Sequence, residues 1–244
     1  MIVSESVKRE KPFIGQEEVA NHPLKGNRSF VLRQSRMTKA QARAYEALPQ
    51  YAIGEEGMMD LTALFGRPDS VKVAEIGCGM GDTTAAIAKN HPDIDFLAIE
   101  VFSPGVGNLI NLIQADYLTN VKIAQTDAVA LFLERLPKAT LDGIHIFFPD
   151  PWPKKKHHKR RLIQPGFIAV LLNALKPGGF IHLATDWADY AEQMIEVMGE
   201  RADLYRLSDD LVCQQSMRTQ TKFEKKGLAK GHQIVDLIYR YQLD

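Results

Sequence analysis

Residues 144–161, IHIFFPDPWPKKKHHKRR, place a single acid, Asp150, between an apolar run and a dense positive run. Prolines at positions 149, 151 and 153 surround this acid, so the chain cannot continue there as a helix or a central strand. The eight residues from Lys154 to Arg161 comprise six Lys or Arg and two His. A carboxylate at the end of a buried strand beside such a cluster indicates chemistry on a polyanion. The alternative is a solvated surface loop.

Four other acids stand at or just after the ends of short apolar runs that predict strands. From residue 71 these runs alternate with helical segments, which predicts an α/β fold with a mostly parallel, doubly wound sheet covered on both faces. In such a sheet a ligand binds outside the carboxyl ends of the strands. The acids expected at that edge beside Asp150 are Glu75, Glu100, Asp127 and Asp186.

The pattern of elements predicts one domain after a short tail. The predicted strands cover Val71–Ile76, Asp95–Glu100, Val121–Gln125, Ile144–Phe148, Phe180–Thr185 and an alternating terminal segment, His232–Gln242. The predicted helices cover residues 38–48, 82–90, 103–115, 162–175 and 187–199, with a short one ending at Leu136. Residues 1–28 show no sustained period and are predicted to be a mobile tail. Residues 29–244 form the domain, in which 29–60 is an extension expected to face RNA.

A glycine-rich turn, Glu75-Ile-Gly77-Cys-Gly79-Met-Gly81, follows the first predicted strand and precedes a helix. Such a turn indicates either a cofactor site or only a tight connection between strand and helix. Glu100 comes 25 residues after Glu75, at the end of the next strand. A carboxylate there can accept hydrogen bonds from both hydroxyls of a ribose, which favours the cofactor.

The spacing of this turn favours S-adenosyl-L-methionine over a dinucleotide. The third glycine comes one position too early for the dinucleotide fingerprint, and Asp82 at the helix start would repel a pyrophosphate. S-adenosyl-L-methionine has no phosphate and carries a sulfonium and an amine, which suit an acid-lined edge. Asp127 is placed to accept a hydrogen bond from the adenine amino group.

The composition is that of an ordinary globular protein with localised charge. The 244 residues are 45% hydrophobic and 25% charged, with a formal net charge of +0, yet residues 1–43 hold nine Lys or Arg against four Asp or Glu. No apolar run is long enough for a membrane span and no secretory signal is seen. The chain has only two cysteines, Cys78 and Cys213, which form no disulfide framework. These features together favour a location in the reducing cytoplasm. No metal site is expected, and the choice between monomer and homodimer stays open.

With these pieces in place, the chain resembles the bacterial tRNA (guanine-N7-)-methyltransferases. The resemblance spans roughly residues 28–242, and its most specific motifs are FFPDPWPK and TKFE. The residues that carry it are RSFVLRQSRMTKAQ (28–41), EIGCGMG (75–81), IEVFSPGVG (99–107), TDA (126–128), FFPDPWPKKKHHKRR (147–161), ATDW (184–187), TKFE (221–224) and GH (231–232). It implies a Rossmann-like class I methyltransferase fold with an antiparallel C-terminal strand.

The resemblance also implies roles for residues at matching positions. The target would be the guanine at position 46 in the variable loop of tRNA. The cofactor contacts would be Glu75, Gly77, Gly79, Gly81, Glu100, Asp127 and Asp150. The tRNA or guanine contacts would be Lys154, Lys156, His157, His158, Lys159, Arg160, Arg161, Asp186, Thr221, Lys222, Phe223 and Glu224.

Asp150 is the candidate catalytic residue. Guanine N7 has a lone pair and no proton, so its attack on a sulfonium methyl needs no base. A carboxylate would instead stabilise the positive charge that moves onto the purine. The alternative for Asp150 is a turn-forming role between prolines, and Trp152 either stacks on a base or plugs the loop onto the sheet.

Three rival functions remain open on the sequence alone. The first is a methyltransferase for another RNA, a protein or a small molecule, although the basic run disfavours small molecules. The second is a non-catalytic RNA-binding module on the same fold, which the intact cofactor residues disfavour. The third is a nucleotide-dependent oxidoreductase, which the glycine spacing and Asp82 disfavour.

Overall fold

The computed structural model describes residues 30, 36–54, 56–218 and 233–242. Within these ranges the core is a seven-stranded sheet in the order β3-β2-β1-β4-β5-β7-β6. The strands are β1 (Val71–Ile76), β2 (Ile94–Ile99), β3 (Val121–Ala124), β4 (Leu141–Phe147), β5 (Leu175–Thr185), β6 (Leu204–Arg206) and β7 (Val235–Tyr241). The predicted tail, residues 1–28, lies outside the described ranges.

Helices connect the strands and cover both faces of the sheet. Those described are α1 (Lys39–Tyr45), α2 (Leu48–Tyr51), α3 (Leu61–Phe65), α4 (Asp82–Asn90), α5 (Ser103–Ala115), α6 (Ala128–Glu134), α7 (Pro165–Ala174), α8 (Ala188–Gly199) and α9 (Asp209–Gln215). A 3₁₀ helix, Lys155–Arg160, precedes α7. Within the described part of the chain, none of the helices is both long and apolar enough to cross a bilayer.

The strand directions confirm the predicted mixed sheet. Strands β1 to β5 pair in parallel, whereas β7 runs antiparallel to both β5 and β6. The parallel strands are almost continuously buried, because helices cover both of their faces. The carboxyl ends of β1 to β5 therefore meet at one edge, as expected for the candidate acids.

Two apolar layers fill the space between the sheet and the helices. One surrounds Phe132, Phe167 and Tyr190, from α6, α7 and α8. The other surrounds Phe96 of β2 and Leu109 and Ile110 of α5. Burial of these layers is the main stabilising contribution, at about 25 cal/mol per Å² of apolar surface.

Helix α5 approaches its neighbours too closely for ordinary side chains at two positions. A Cβ atom on Gly105 would lie 2.1 Å from the carbonyl oxygen of Gly79 in the glycine turn. A Cβ atom on Gly107 would lie 2.6 Å from the carbonyl oxygen of Gln41 in α1. The two glycines thus bring α5 against the turn on one side and hold the N-terminal extension against it on the other.

Some predicted boundaries were wrong. Strand β5 begins at Leu175 rather than Phe180, and the Lys176–Gly179 turn signal corresponds to an irregular register between β4 and β5. Helix α7 begins at Pro165 rather than residue 162. The single helix predicted over 38–48 is α1, which ends at Tyr45. Helices α2, α3 and α9 and strand β6 were missed, because elements of three to seven residues show too little periodicity to be detected.

Candidate active site

A cavity of about 360 Å³ lies at the carboxyl ends of β1 to β4. This volume is in the range of small-molecule sites, which run from roughly 300 to 1,000 Å³. Four of the candidate cofactor residues, Gly77, Glu100, Asp127 and Asp150, line it. The rest of the lining is mostly apolar and is formed by Phe30, Ile76, Ile99, Val101, Phe102, Thr126, Ala128, Phe147, Phe148, Pro149 and Leu162.

The three glycines of the turn divide into two roles. Gly77, Gly79 and Gly81 all have positive φ, at 76°, 56° and 76°, a backbone region that favours glycine. A Cβ atom on Gly77 or Gly79 would meet open space, whereas one on Gly81 would lie 2.6 Å from Cβ of Leu109. Gly77, which lines the cavity, therefore leaves room there, whereas Gly79 and Gly81 do not line it, and Gly81 allows α4 and α5 to pack.

Glu100 fixes the shape of the turn from the end of β2. Its Oε2 accepts a hydrogen bond from Gly79 N over 2.7 Å. Its Oε1 accepts from Val101 N and Phe102 N over 2.8 and 2.9 Å. The carboxylate is buried and also lines the cavity, so one side chain both positions the backbone and presents negative charge to a ligand.

Asp127 occupies the N-cap of α6 and reaches the same cavity. Its Oδ1 accepts a hydrogen bond from Ala130 N over 3.1 Å. Such a cap explains the position of an acid after β3 without any ligand. The half-buried carboxylate nevertheless lines the cavity, where it can accept a hydrogen bond from a ligand amine.

Glu75 lies behind the turn and not on the cavity wall. It is buried, and its Oε2 accepts a hydrogen bond from Thr84 Oγ1 over 2.9 Å. Burial, partly offset by this hydrogen bond and reinforced by the charge of Glu100, raises the pKa of Glu75 to about 7. The structure thus gives this carboxyl an interior position, separate from the residues that line the cavity.

This raised pKa predicts a specific dependence of stability on pH. Glu75 holds its proton in the native state up to about pH 7, whereas the unfolded chain releases it near 4.5. Its contribution to the free energy of unfolding is therefore largest below pH 4.5, falls as pH rises, and is lost above 7. The total is about 3 kcal/mol at 1.36 kcal/mol per pKa unit.

Chemical denaturation of the wild type and of Glu75→Gln at pH 5 and pH 8 measures this contribution. We expect the variant to lose less stability across that interval, because the amide keeps an acceptor for Thr84 and has no proton to release. Equal losses in the two proteins would contradict the assignment.

The loop that carries Asp150 leaves β4 through strained backbone. Phe148 and Trp152 have φ of 50° and 44°, which are uncommon for residues other than glycine. Phe148 N donates to the carbonyl of Ala184 in β5 over 2.8 Å. Asp150 is exposed at the mouth of the cavity, between the small-molecule space and the basic run.

The basic run presents most of its charge to solvent. Lys154, Lys156 and Lys159 are exposed, and His157, His158 and Arg160 are half-buried. The ring of Trp152 stacks on His157 with centroids 5.9 Å apart, and the guanidinium of Arg160 lies 4.6 Å from the Trp152 ring. Trp152 thus packs within its own loop.

His157 lies among the positive charges of this run. Partial burial, together with the charges of Lys156, Arg160 and other neighbours, lowers the pKa of His157. At neutral pH this ring is therefore uncharged and adds hydrogen-bonding capacity rather than positive charge to the surface.

The structure corrects one predicted RNA contact. Arg161 is 2% exposed, and its guanidinium bonds Pro151, Gln193 and Asp189 within the protein. Composition alone could not separate this arginine from the others in the run, because the distinction depends on packing against α8.

The remaining predicted contacts lie beside the cavity or outside the described residues. Asp186 is half-buried directly after β5 and does not line the cavity. Thr221, Lys222, Phe223 and Glu224 lie outside the described residues. Arg218, the last residue described before them, donates to Asp236 of β7 and lies 5.4 Å from the Phe148 ring.

Two contributions of the N-terminal extension could not be predicted from the sequence. Phe30 lines the cavity, and the hydroxyl of Tyr45 donates to Gln125 Oε1 over 2.6 Å. Gln125 in turn donates to Ser103 Oγ over 2.8 Å, which links α1 to β3 and α5 at the cavity edge. Contacts this far apart in sequence follow from tertiary packing and not from a local pattern.

Comparison with solved structures identifies the fold. The chain matches "Structure of an Antibiotic Related Methyltransferase" with a TM-score of 0.50 and 19% identity, covering 78% of this chain and 97% of that one. It matches the 16S rRNA methyltransferase KamB with a TM-score of 0.52 and 14% identity, covering 77% and 96%. The fold is therefore the Rossmann-like fold of class I methyltransferases, as predicted.

The sequence comparisons define the family within this class. The family model described as "Putative methyltransferase" matches residues 69–237. Curated proteins named tRNA (guanine-N(7)-)-methyltransferase are 49% identical in Nitrosospira multiformis (91% of this chain, 97% of the relative) and 51% identical in Neisseria meningitidis serogroup A (91% and 93%). This chain belongs to the tRNA (guanine-N(7)-)-methyltransferase family.

Proposed function

We propose that this protein transfers the methyl group of S-adenosyl-L-methionine to N7 of a guanine in tRNA, at position 46 of the variable loop. The observation that carries the proposal is an acid-lined small-molecule cavity whose mouth, at Asp150, adjoins the exposed basic run. The names of the relatives support the reaction and the substrate. A cytoplasmic location follows from the proposed substrate.

The cavity residues fit S-adenosyl-L-methionine. Gly77 and Gly79 leave open space where a side chain would otherwise stand, so the backbone can contact a ligand directly. Glu100 and Asp127 give the cavity negative charge, which suits a sulfonium and amines and opposes a pyrophosphate. No cluster of His, Cys, Asp and Glu in the described ranges could hold a metal ion, and the proposed reaction uses none.

The bound cofactor would supply an electrophilic methyl group on a sulfonium. The protein then has two tasks, because guanine N7 needs no deprotonation. It must align the nitrogen with the methyl carbon and sulfur, for which proximity contributes about 7–11 kcal/mol in favourable cases. It must also stabilise the positive charge that develops on the purine.

We assign the second task to Asp150. It stands at the cavity mouth, where a base entering from the basic surface would meet the cofactor space. As the purine becomes cationic, its N1–H and exocyclic amine become stronger donors, and a carboxylate that accepts from them stabilises the transition state more than the ground state. The flanking prolines restrict the backbone that carries this carboxylate.

The exposed part of the basic run predicts strong dependence of tRNA binding on salt. If four to six side chains contact phosphates, log affinity should fall with log salt at a slope of about −3 to −5. Lys156→Gln should reduce the slope by roughly 1, whereas Lys89→Gln, at the opposite edge beside Asp116, should leave it unchanged. A wild-type slope near −1 in a fluorescence titration would rule out this surface as the tRNA footprint.

The test of the function is incubation with unmodified tRNA and methyl-labelled S-adenosyl-L-methionine, followed by nucleoside analysis. Label in 7-methylguanosine, lost when G46 of the tRNA transcript is replaced by adenosine, is the expected result. Label in another nucleoside or in protein would support a methyltransferase with a different substrate. Absence of both label and cofactor binding by calorimetry would support a non-catalytic RNA-binding module.

A further inference from the structure

The buried side chain of Arg161 connects the Asp150 loop to the protein interior. Its side chain is 1% exposed, although it ends the most basic segment of the sequence. Its Nε donates to the carbonyl of Pro151 over 2.9 Å, and its Nη1 donates to Gln193 Oε1 over 2.7 Å. Its Nη2 donates to the carboxylate of Asp189. All three guanidinium nitrogens are thus bonded within the protein.

Apart from Pro151, the residues that contact the Arg161 guanidinium belong to α8, which also holds the chain just after the arginine. The guanidinium carbon lies 4.8 Å from the ring centroid of the fully buried Tyr190. The Tyr190 hydroxyl accepts from Ile163 N over 3.1 Å, and Gln193 Nε2 donates to Ile163 O over 2.9 Å. Helix α8 therefore fixes both the arginine and the backbone that follows it.

The hydrogen bond from Arg161 to the Pro151 carbonyl connects the arginine to the residue next to Asp150. It spans ten positions of the chain and encloses Trp152 and the 3₁₀ helix. Helix α8 begins two residues after Asp186, so the helix that holds Arg161 also follows closely on the second candidate acid. A planar guanidinium can hold three differently directed acceptors at once, whereas an ammonium is a point charge.

We propose that Arg161 is a positioning residue that holds the Asp150 loop against α8 and sets the placement of the Asp150 carboxylate at the cavity mouth. The proposal rests on the proposed function, since Asp150 acts there on the substrate. Arg161 itself makes no contact with tRNA, in contrast to the exposed side chains before it. The hydrogen bond to the Pro151 carbonyl is the contact through which Arg161 positions the loop.

The variant Arg161→Lys separates positioning from RNA contact. We expect kcat to fall at least about tenfold, while KM for tRNA, cofactor affinity and the salt slope of tRNA binding each stay within about twofold of the wild type. A phosphate contact predicts the opposite, namely a higher KM and a slope reduced by about 1 with kcat unchanged. A fall in melting temperature with normal kcat per folded molecule would also overturn the proposal.

Limited trypsin digestion tests the position of the loop without any substrate. Cleavage within Lys154–Arg160, mapped by mass spectrometry, should be at least about fivefold faster in Arg161→Lys than in the wild type. The control is Arg201→Lys, because Arg201 also pairs with an aspartate, Asp203, but lies just beyond the far end of α8. It should change neither cleavage nor kcat.

The two measurements distinguish the two proposals. If cleavage is faster in Arg161→Lys but the wild type methylates no tRNA, the proposed function is rejected, and the role of Arg161 in holding the Asp150 loop against α8 is supported. Unchanged cleavage would reject this role of Arg161, whatever the activity of the wild type.

Discussion

Replacement of Asp150 by asparagine is expected to lower the single-turnover rate of methyl transfer by about a hundredfold or more. The amide keeps the size of the side chain and removes the negative charge at the cavity mouth. Loss of one preorganised stabilising group in other active sites costs about 10²–10³ in rate. Because Asp150 is exposed, its replacement should change the free energy of unfolding by less than about 0.5 kcal/mol.

The experiment is a rapid-quench assay at saturating enzyme and S-adenosyl-L-methionine with unmodified tRNA. Asp93→Asn provides the matched control, because Asp93 is also exposed but precedes β2 at the opposite edge of the sheet. It should react at the wild-type rate. Near-normal turnover by a folded Asp150→Asn variant would show that this acid only forms the turn.

Replacement of Gly105 by alanine is expected to destabilise the protein by about 3 kcal/mol and to weaken cofactor binding at least about tenfold. The new Cβ would lie 2.1 Å from the carbonyl oxygen of Gly79, and the positions of both atoms are set by the backbone. Neither element can rotate a side chain away, so α5 or the turn must move. A moved turn would also break the hydrogen bond from Gly79 N to Glu100.

Gly199→Ala is the control for this substitution. Gly199 is the last residue of α8, and a Cβ atom there would meet no atom within 4 Å. Alanine should leave stability unchanged or raise it by up to about 1 kcal/mol, because it favours the helix. Urea denaturation and calorimetric titration with S-adenosyl-L-methionine measure both effects. Wild-type stability in Gly105→Ala would contradict the close approach of α5.

The fold could be predicted from the sequence because its strands and helices differ in period. Strand β1 and helices α4 and α5 have the predicted limits, since each combines a clear apolar pattern with glycine or proline at its ends. The positions of Glu100, Asp127 and Asp150 followed from the rule that ligands bind at the carboxyl ends of parallel strands.

Other parts of the site could not be predicted, because they depend on contacts between distant segments. Glu75 and Arg161 are charged residues in motifs that suggest ligand contact, yet both are buried by packing that no local pattern encodes. Phe30 reaches the cavity from outside the predicted sheet for the same reason. Residues Thr221–Glu224 lie outside the described residues, so their proposed contact with guanine remains a prediction.

The order of strands in the sheet has a consequence for synthesis on the ribosome. Strand β7 pairs with β5 on one side and with β6 on the other, although it follows both in the chain. The nascent chain can therefore assemble β1 to β5, with most of the cavity wall, while the edge of β5 is still open and β6 has no partner strand in the sheet. Only when translation has passed Tyr241 can both strands pair. Until then, the growing protein presents an unpaired strand edge, which is a type of surface that promotes aggregation.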